Sequence, residues 1–338
     1  MTAAGTRLVH ADTGLGHTDT GLGHADLRLG PADVRLGHAD VLAAAERIAP
    51  YIRRTPLLTA GSLPGVLLKA EHLQHSGSFK LRGAANALLA LGAHDIVTGS
   101  SGNHGLAVAA LAGPLGVRVT VVMAAGASEA KARAVAALGA RVIRSGGGVA
   151  ERDRYARDFA ERTGAVLVPS SDHELVAAGQ GTVALEIFED APGTDTVFVP
   201  TGGGGLLGGV CLAAAGLTRP VRIVGVEPAG TRRYARALAA GHPVELPPSD
   251  TVADGLRGQR AGEILFPVIR QRVDELVGVT DEAIVQATGL LHAAGIPAEP
   301  SGAVALAGAL HRGFDGTAAV IVSGGNDPAA LAARTAAL

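Results

Sequence analysis

Hydrophobic positions follow two alternating patterns along this chain from about residue 40 onward. Short runs rich in Val and Ile, typical of buried strands, alternate with longer Ala- and Leu-rich runs at helical spacing. The predicted helices include 40–52, 128–139 and 149–164. The predicted strands are 95–99, 117–123, 141–145, 165–170, 195–200, 221–227 and 318–324. This alternation predicts parallel sheets covered by helices on both faces, with ligands at the carboxyl ends of the strands.

The N-terminal segment 1–38 has a different pattern, a repeat of His-Ala-Asp and Gly-Leu-Gly units. Its apolar positions have heptad spacing, but each glycine would cost about 1 kcal/mol in a helix and Pro31 interrupts the repeat. Its evenly spaced histidines suggest metal capture, yet without a fixed scaffold a flexible extension is the better interpretation. We therefore expect a large cofactor-binding domain formed by 39–94 and 169–338, and a small domain formed by 95–168.

Composition narrows the function classes. The chain has 338 residues, 47% of them hydrophobic, and a net charge of −2, so it can bury a substantial core and has no charge excess suited to nucleic acid or a membrane surface. No apolar stretch reaches the roughly 20 residues of a membrane span, and no secretory signal precedes the repeat. The single cysteine, Cys211, cannot form an internal disulfide. We expect a cytoplasmic protein without a membrane partner.

The predicted strand 195–200 is followed by a tetraglycine, made of Gly202, Gly203, Gly204 and Gly205. Exposed backbone N–H groups at the start of the next helix favour a phosphate ligand. Gly203, Gly205 and Gly208 also satisfy G-x-G-x-x-G, and Glu227 ends the following strand as a ribose-binding acid would. On these residues alone the prediction is a dinucleotide, and hence an NAD(P)-dependent oxidoreductase. A glycine turn that serves only close packing is the weaker alternative.

A polar loop follows the predicted strand 95–99, and it comprises Ser100, Ser101, Gly102, Asn103 and His104. Hydroxyl, amide and backbone N–H groups at the head of a helix form an anion pocket that suits a substrate carboxylate. Asn103 can donate a hydrogen bond to a phenolic oxygen, and His104 can do the same or cap the helix. A turn that only caps the helix is the alternative.

Lys80 lies between the apolar-alternating run 66–73 and the Ala/Leu-rich run 84–91. Partial burial at such a strand-to-helix junction lowers the pKa of an amine and leaves it nucleophilic, although an isolated lysine is usually a solvated charge.

Two weaker signals for a functional site lie near the C-terminal end of the sequence. Ser323 ends the last predicted strand, where a hydroxyl can bond a heterocyclic nitrogen or merely end a turn. Glu299 opens a helix, either as a group that faces the site or as a capping carboxylate.

In their order along the chain, these segments resemble the pyridoxal-phosphate enzymes of the serine/threonine dehydratase and serine racemase family. The matching segments are Thr-Pro-Leu at 55–57, Ser-Phe-Lys-Leu-Arg-Gly-Ala at 78–84, Ser-Ser-Gly-Asn-His-Gly at 100–105, Ala-Gly-Gln-Gly-Thr at 178–182, the tetraglycine at 202–205, Glu-Pro-Ser-Gly at 299–302 and Ser-Gly-Gly-Asn at 323–326. The resemblance covers about residues 40 to 330. It implies an α/β fold of type II, like the β subunit of tryptophan synthase, with two parallel-sheet three-layer domains, and a homodimer.

The resemblance also implies pyridoxal 5'-phosphate as the cofactor and assigns a role to each segment. Lys80 would hold the cofactor as a Schiff base, Phe79 would pack by its ring, Asn103 would contact the ring hydroxyl, Gly202 to Gly205 would hold the phosphate, and Ser323 would face the ring nitrogen. Glu299 is included among the cofactor contacts, and the loop from Ser100 to His104 would receive the substrate carboxylate. The dinucleotide fingerprint is thereby reinterpreted as a cup for this cofactor's phosphate.

The reaction that this implies starts when Lys80, freed by a small amino-acid substrate, removes the Cα proton as general base. The ring accepts the carbanion, and loss of a β-hydroxyl is the favoured exit because a serine beside the ring nitrogen weakens full transamination. We predict a lyase that deaminates L-threonine, L-serine or a related β-hydroxy acid. Ser101 resembles the residue that reprotonates the opposite face in racemases. A racemase and a β-replacement synthase are therefore alternatives.

The sequence departs from the family pattern at a metal site. In racemases and many dehydratases, the acid that corresponds to Glu227 begins a divalent-metal site completed by an aspartate shortly afterwards. Here Arg232 and Arg233 stand where an anionic ligand is needed, and like charges repel a cation. We therefore expect no metal.

Overall fold

The computed structural model describes residues 36–327, so nearly all of the predicted N-terminal extension, 1–38, lies outside the described residues. The strands are β1 (Leu57–Thr59), β2 (Val66–Ala70), β3 (Asp95–Gly99), β4 (Arg118–Met123), β5 (Arg141–Arg144), β6 (Val166–Leu167), β7 (Thr196–Pro200), β8 (Arg222–Pro228), β9 (Glu275–Val279) and β10 (Ala318–Val322). The helices are α1 (His38–Ile48), α2 (Lys80–Leu91), α3 (Asn103–Ala110), α4 (Ala112–Leu115), α5 (Glu129–Ala137), α6 (Val149–Thr163), α7 (Glu174–Asp190), α8 (Gly205–Ala214), α9 (Arg233–Ala240), α10 (Phe266–Arg272), α11 (Asp281–Ala293) and α12 (Pro300–Arg312). The predicted α/β alternation is confirmed.

The strands form two sheets. A six-stranded sheet has the order β1-β2-β10-β7-β8-β9, and it is parallel except for β1, which pairs antiparallel at one edge. A four-stranded sheet has the order β5-β4-β3-β6 and is parallel throughout. All strands of the smaller sheet come from the part of the chain between Asp95 and Leu167.

Helices cover both faces of the six-stranded sheet, as its central strands require. β7 and β10 are buried along their whole length, which explains their continuous apolar sequences. Successive side chains of β7 enter different cores because strand side chains alternate between faces. Val197 and Val199 pack with Leu207 of α8, whereas Phe198 packs with Val304 of α12.

The smaller sheet is covered in the same way. Ile96 of β3 packs with Leu106 of α3 on one face, and the neighbouring Val97 packs with Ala156 of α6 on the other. The two faces thus follow from the period of two in the β3 sequence.

Most predicted boundaries shift by one or two residues, and three larger or more informative differences have a physical reason. α1 begins at His38 rather than at Asp40, because Gly37 occupies the N-cap position. The strand predicted at 165–170 shrinks to β6, since Pro169 lacks the N–H that a sheet ladder needs. β9 was not predicted, because it lies at a sheet edge where only alternate residues are buried and Gly278 interrupts its apolar run. Among the described helices, none has the length and apolar character of a membrane span.

Candidate active site

The carboxyl ends of both sheets point to one region. Ser323 follows β10, the tetraglycine follows β7, and Ser100 follows β3. The backbone of Phe79 is fixed to this region because its N–H donates to the carbonyl oxygen of Ser323 at 3.1 Å. α2 begins at the next residue, so Lys80 projects from the first turn of a helix beside the end of β10.

The Lys80 amine is desolvated and has no carboxylate partner among the residues that the structure describes. Its Nζ donates to the carbonyl oxygen of Ser170 at 2.5 Å and lies 5.0 Å from the centroid of the Phe79 ring. Burial of the amine lowers the pKa of Lys80 to about 8. An appreciable fraction of this amine is therefore neutral close to neutral pH.

The other lysines of the chain, Lys69 and Lys131, are also buried but are ion-paired. Lys69 donates to Glu186 at 2.5 Å, and Lys131 pairs with Asp254. Among residues 36–327, Lys80 is thus the lysine without an ion pair, which suits a nucleophile.

The tetraglycine loop is shaped so that only glycine fits. A Cβ on Gly203 would overlap the hydroxyl of Ser171, and one on Gly204, whose φ is +96°, would overlap the hydroxyl of Tyr234. A Cβ on Gly205 would come within 2.5 Å of the Oε1 of Gln180. Bare backbone at the N-terminus of α8 leaves N–H groups open toward an anion.

Gln180 adds a second sign that this region is built for a ligand. Its side chain is fully buried, and neither amide atom has a hydrogen-bond partner among the described residues. Buried amides are normally satisfied, so an orphaned one beside the tetraglycine fits a site that receives a polar group. The residues present therefore fit a phosphorylated cofactor.

The polar loop before α3 is ordered by its serines. The Oγ of Ser100 accepts N–H donations from Gly102 at 3.3 Å and Gly105 at 3.0 Å, which caps the helix. The Oγ of Ser101 accepts from the N–H of Ala124 at 2.9 Å. Both hydroxyls keep their own proton available for donation to an anion.

His104 takes neither of the roles predicted for it. It is buried, and its Nε2 lies 3.1 Å from the carbonyl oxygen of Val168. Burial, reinforced by the charge of Lys80, lowers the pKa of His104 to about 3, so the ring is neutral. Helix capping is supplied by Ser100 instead, and His104 supports the loop from below.

Asn103 connects the two sheets. Its Nδ2 donates to the Oε1 of Glu299, and its Oδ1 accepts from the Nδ2 of Asn326 at 3.0 Å. Burial, with a smaller contribution from the charge of Asp254, raises the pKa of Glu299 to about 7. Ser323 is buried, and its Oγ donates to the carbonyl oxygen of Ser301 at 3.3 Å.

The structure thus brings together the residues that the sequence singled out, and it adds others. Ser170 and Tyr234 join the site through hydrogen bonds that have no sequence signature, and Ser171 lies against Gly203. Asn326, the last residue of the matched segment 323–326, binds Asn103. Glu227 does not take the ribose-binding role that the dinucleotide interpretation required. It is fully buried, and its carboxylate accepts the backbone N–H groups of Tyr234 and Ala235.

Comparison with known proteins identifies this arrangement. The family model described as pyridoxal-phosphate dependent enzyme matches residues 48–324. The serine racemase of Oryza sativa subsp. japonica is 39% identical over 301 residues, covering 84% of this chain and 88% of that protein. The L-threo-3-hydroxyaspartate ammonia-lyase of Saccharomyces cerevisiae is 37% identical over 299 residues, covering 85% of this chain and 92% of that protein.

A solved structure agrees in fold. The T.th. threonine deaminase superposes with a TM-score of 0.82 at 42% identity, covering 86% of this chain and 98% of that one. The family match sets aside the oxidoreductase alternative, since the tetraglycine belongs to a pyridoxal-phosphate fold. The chain therefore belongs to the fold type II pyridoxal-phosphate-dependent enzymes of the serine/threonine dehydratase and serine racemase family.

Proposed function

We propose that this chain is an ammonia-lyase that converts a small β-hydroxy amino acid, L-threonine, L-serine or a related acid, to a 2-keto acid and ammonia. The observation that carries the proposal is the amine of Lys80. It is desolvated, has no carboxylate partner among residues 36–327, and donates to the carbonyl oxygen of Ser170, next to the Ser171 that lies against Gly203. Relatives named as L-threonine and L-threo-3-hydroxyaspartate ammonia-lyases support the reaction class.

Lys80 would act as the attachment point of the cofactor and then as the general base at the substrate Cα. The bound cofactor supplies a conjugated ring that delocalises the electron pair left at Cα. With a pKa of about 8, the Lys80 amine is close to the value at which a base is both sufficiently unprotonated and sufficiently basic. The carbonyl oxygen of Ser170 orients the amine by accepting a hydrogen bond from it.

The serine loop would bind the substrate carboxylate. The N-terminus of α3 provides partial positive charge, and the hydroxyls of Ser100 and Ser101 each have a proton to donate. Because His104 is neutral, anion binding there depends on hydrogen bonds and the helix dipole rather than on a full charge. Such a pocket accepts the α-carboxylate that every amino-acid substrate carries.

Ser323 and Asn103 would orient the cofactor ring. Ser323 offers a hydroxyl rather than a carboxylate at the end of β10, so a ring nitrogen facing it would stay unprotonated. A weaker electron sink favours departure of a β-hydroxyl over complete transamination. This is the reason to prefer elimination as the outcome.

Racemisation is the second candidate, and Ser101 is the observation that favours it. The Ala124 N–H that donates to its Oγ would stabilise a developing negative charge on that oxygen, as a proton donor requires. Serine racemases are among the relatives. Ser101→Ala is expected to abolish formation of D-serine from L-serine, whereas keto-acid release should be weakened by the loss of one carboxylate contact but should persist.

The test of the main proposal combines a spectrum with a product assay. The purified enzyme should absorb as a lysine-bound pyridoxal enzyme, and borohydride should bleach that band and fix the label on the Lys80 peptide, with the ion-paired Lys69 and Lys131 as internal controls. Keto-acid release from a panel of L-amino acids then identifies the substrate. Lys80→Ala should lose both band and turnover, and turnover that survives would refute the assignment. We also expect a homodimer, measurable by light scattering.

A further inference from the structure

A buried arginine lies next to the site but outside the reaction just described. Arg233 opens α9 and is only 2% exposed. Its Nη2 donates to the carbonyl oxygen of Leu256, and a Cβ on Gly258 would lie 2.6 Å from its Nη1. Its Nε has no hydrogen-bond partner among residues 36–327. A buried guanidinium is costly, so its position calls for a compensating charge.

The acid held against the same helix is Glu227, at the carboxyl end of β8. Its carboxylate is fully buried and accepts N–H donations from Tyr234 at 2.8 Å and Ala235 at 3.1 Å. Burial raises the pKa of Glu227. The N–H groups of Tyr234 and Ala235 oppose this rise, and the charges of Arg233 and Arg232 oppose it less strongly. Glu227 in turn opposes the lowering of the pKa of Arg233 by burial. Both charged groups are therefore buried at the start of α9, where the backbone that follows Arg233 binds Glu227.

This region holds the phosphate loop in place. The hydroxyl of Tyr234 donates to the carbonyl oxygen of Gly203 and accepts the N–H of Gly262, both at 3.1 Å. Arg233, the residue before Tyr234, donates a hydrogen bond to the carbonyl oxygen of Leu256. Two consecutive side chains of α9 thus tie the segment from Leu256 to Gly262 to the tetraglycine.

The family pattern places a divalent metal at this acid, and the residues present do not fit one. No cluster of three or more His, Cys, Asp or Glu side chains suited to a metal occurs within the described residues. Arg233 instead places a permanent positive charge directly before the two residues whose N–H groups bind Glu227, and that charge would repel a divalent ion there. The guanidinium also reaches the carbonyl oxygen of Leu256, which is the type of ligand that hard cations take.

We propose that Arg233 is a built-in cation that replaces a divalent metal beside Glu227 and positions the phosphate loop, which makes the enzyme independent of divalent cations. Arg233 acts on the loop through Tyr234 and Leu256, so it is a positioning residue. The matched control is Arg232, which is half-buried and donates to the carbonyl oxygen of Leu276 instead.

The experiment measures thermal unfolding and cofactor affinity of the holoenzyme in EDTA and across a MnCl2 titration. The wild-type midpoint should not move with Mn2+, whereas Arg233→Asp should melt lower in EDTA and rise with the logarithm of Mn2+ concentration. Arg233→Lys, which keeps the charge, should stay insensitive to Mn2+, as should Arg232→Asp.

The proposal is overturned if wild type binds Mn2+ stoichiometrically with a raised melting temperature. It is equally overturned if Arg233→Ala leaves melting and cofactor affinity as in wild type, or if Arg233→Asp is folded and ignores Mn2+. Should Arg233→Asp not fold, the wild-type titration and Arg233→Lys decide the matter, since a metal response in either contradicts a built-in cation.

Discussion

Arg82, two residues after Lys80, makes the most demanding prediction about this structure. Its guanidinium is fully buried and forms paired hydrogen bonds with two carboxylates. Nε and Nη2 each lie 2.8 Å from a Glu71 oxygen, while Nη1 and Nη2 lie 2.6 and 2.8 Å from those of Glu186. Lys69 also donates to Glu186, and the hydroxyl of Thr55 donates to Glu71. This network fixes the first turn of α2, which carries the Lys80 amine.

Arg82→Met would remove the cation and leave these acids buried. Glu186 keeps Lys69 as a partner, but Glu71 keeps only a neutral hydroxyl, so one carboxylate loses its compensation. Removing one partner of a buried ion pair costs about 3–5 kcal/mol. Since whole domains are stable by only about 5–15 kcal/mol, the variant should be strongly destabilised.

The size of the loss should depend on pH. Burial opposes ionisation of Glu186, but its hydrogen bonds with Arg82 outweigh that effect and lower its pKa. A carboxylate with a lowered pKa stabilises the fold above its unfolded pKa of about 4.3, and this stability disappears as pH falls through the folded pKa. The difference in the free energy of unfolding between wild type and Arg82→Met should therefore be largest near neutral pH and decrease in acid.

Urea unfolding followed by circular dichroism measures this difference. Arg54→Ala is the matched control, because Arg54 also contacts two acids, Glu189 and Asp190, but at the surface, where the loss should stay within about 1 kcal/mol. Adding Glu71→Gln to Arg82→Met should recover part of the stability. A loss below about 1 kcal/mol, or one that persists unchanged in acid, would refute the reasoning.

Two further predictions concern the site itself. Burial raises the pKa of Glu299 to about 7, so the folded protein holds this proton more tightly than the unfolded chain does. The free energy of unfolding should therefore fall by at most about 1.4 kcal/mol per pH unit as pH rises from the unfolded pKa of Glu299 to about 7. Glu299→Gln should flatten this decline in urea unfolding across pH, and an unchanged slope would contradict it. Gly204→Ala should weaken cofactor binding and lower the melting temperature, because its φ is +96° and the new Cβ would overlap Tyr234. Gly193→Ala, whose Cβ would meet no atom within 4 Å, is its control, and equal behaviour of the two would be inconsistent with a shaped loop.

The sequence was sufficient for the fold, and it singled out segments that the structure brings close together. Continuous apolar runs identified the central strands β7 and β10, and polar loops at strand ends indicated the ligand edge. Lys80, the tetraglycine and the serine loop could be proposed from the sequence because each has a local residue pattern. The dinucleotide interpretation failed because G-x-G-x-x-G describes a loop that can bind any phosphate, whereas the role of Glu227 depended on which way its carboxylate faces.

Partners that are distant along the chain could not be predicted from the sequence. The carbonyl oxygen of Ser170 contacts Lys80, and Asp254 pairs with Lys131, across 90 and 123 positions of sequence, so these contacts exist only in the folded chain. Glu71 and Glu186 look like ordinary surface acids in the sequence, and their burial around Arg82 becomes visible only in three dimensions. Every residue has a backbone carbonyl, so no residue pattern in the sequence could indicate the hydrogen bond between Lys80 and the carbonyl oxygen of Ser170.

Ion pairing explains why the pKa of Lys80 is set differently from those of the other buried lysines, Lys69 and Lys131. Burial lowers the pKa of Lys69 as well, but Glu186 opposes this, and Asp254 pairs with Lys131. Burial alone is the cause of the lowered pKa of Lys80, and its hydrogen-bond partner is an uncharged carbonyl oxygen. Acids thus accompany the buried bases that hold the structure together, and the base at the site is left without one. The lowered pKa of the Lys80 amine therefore follows from the absence of a carboxylate partner among the described residues as much as from burial itself.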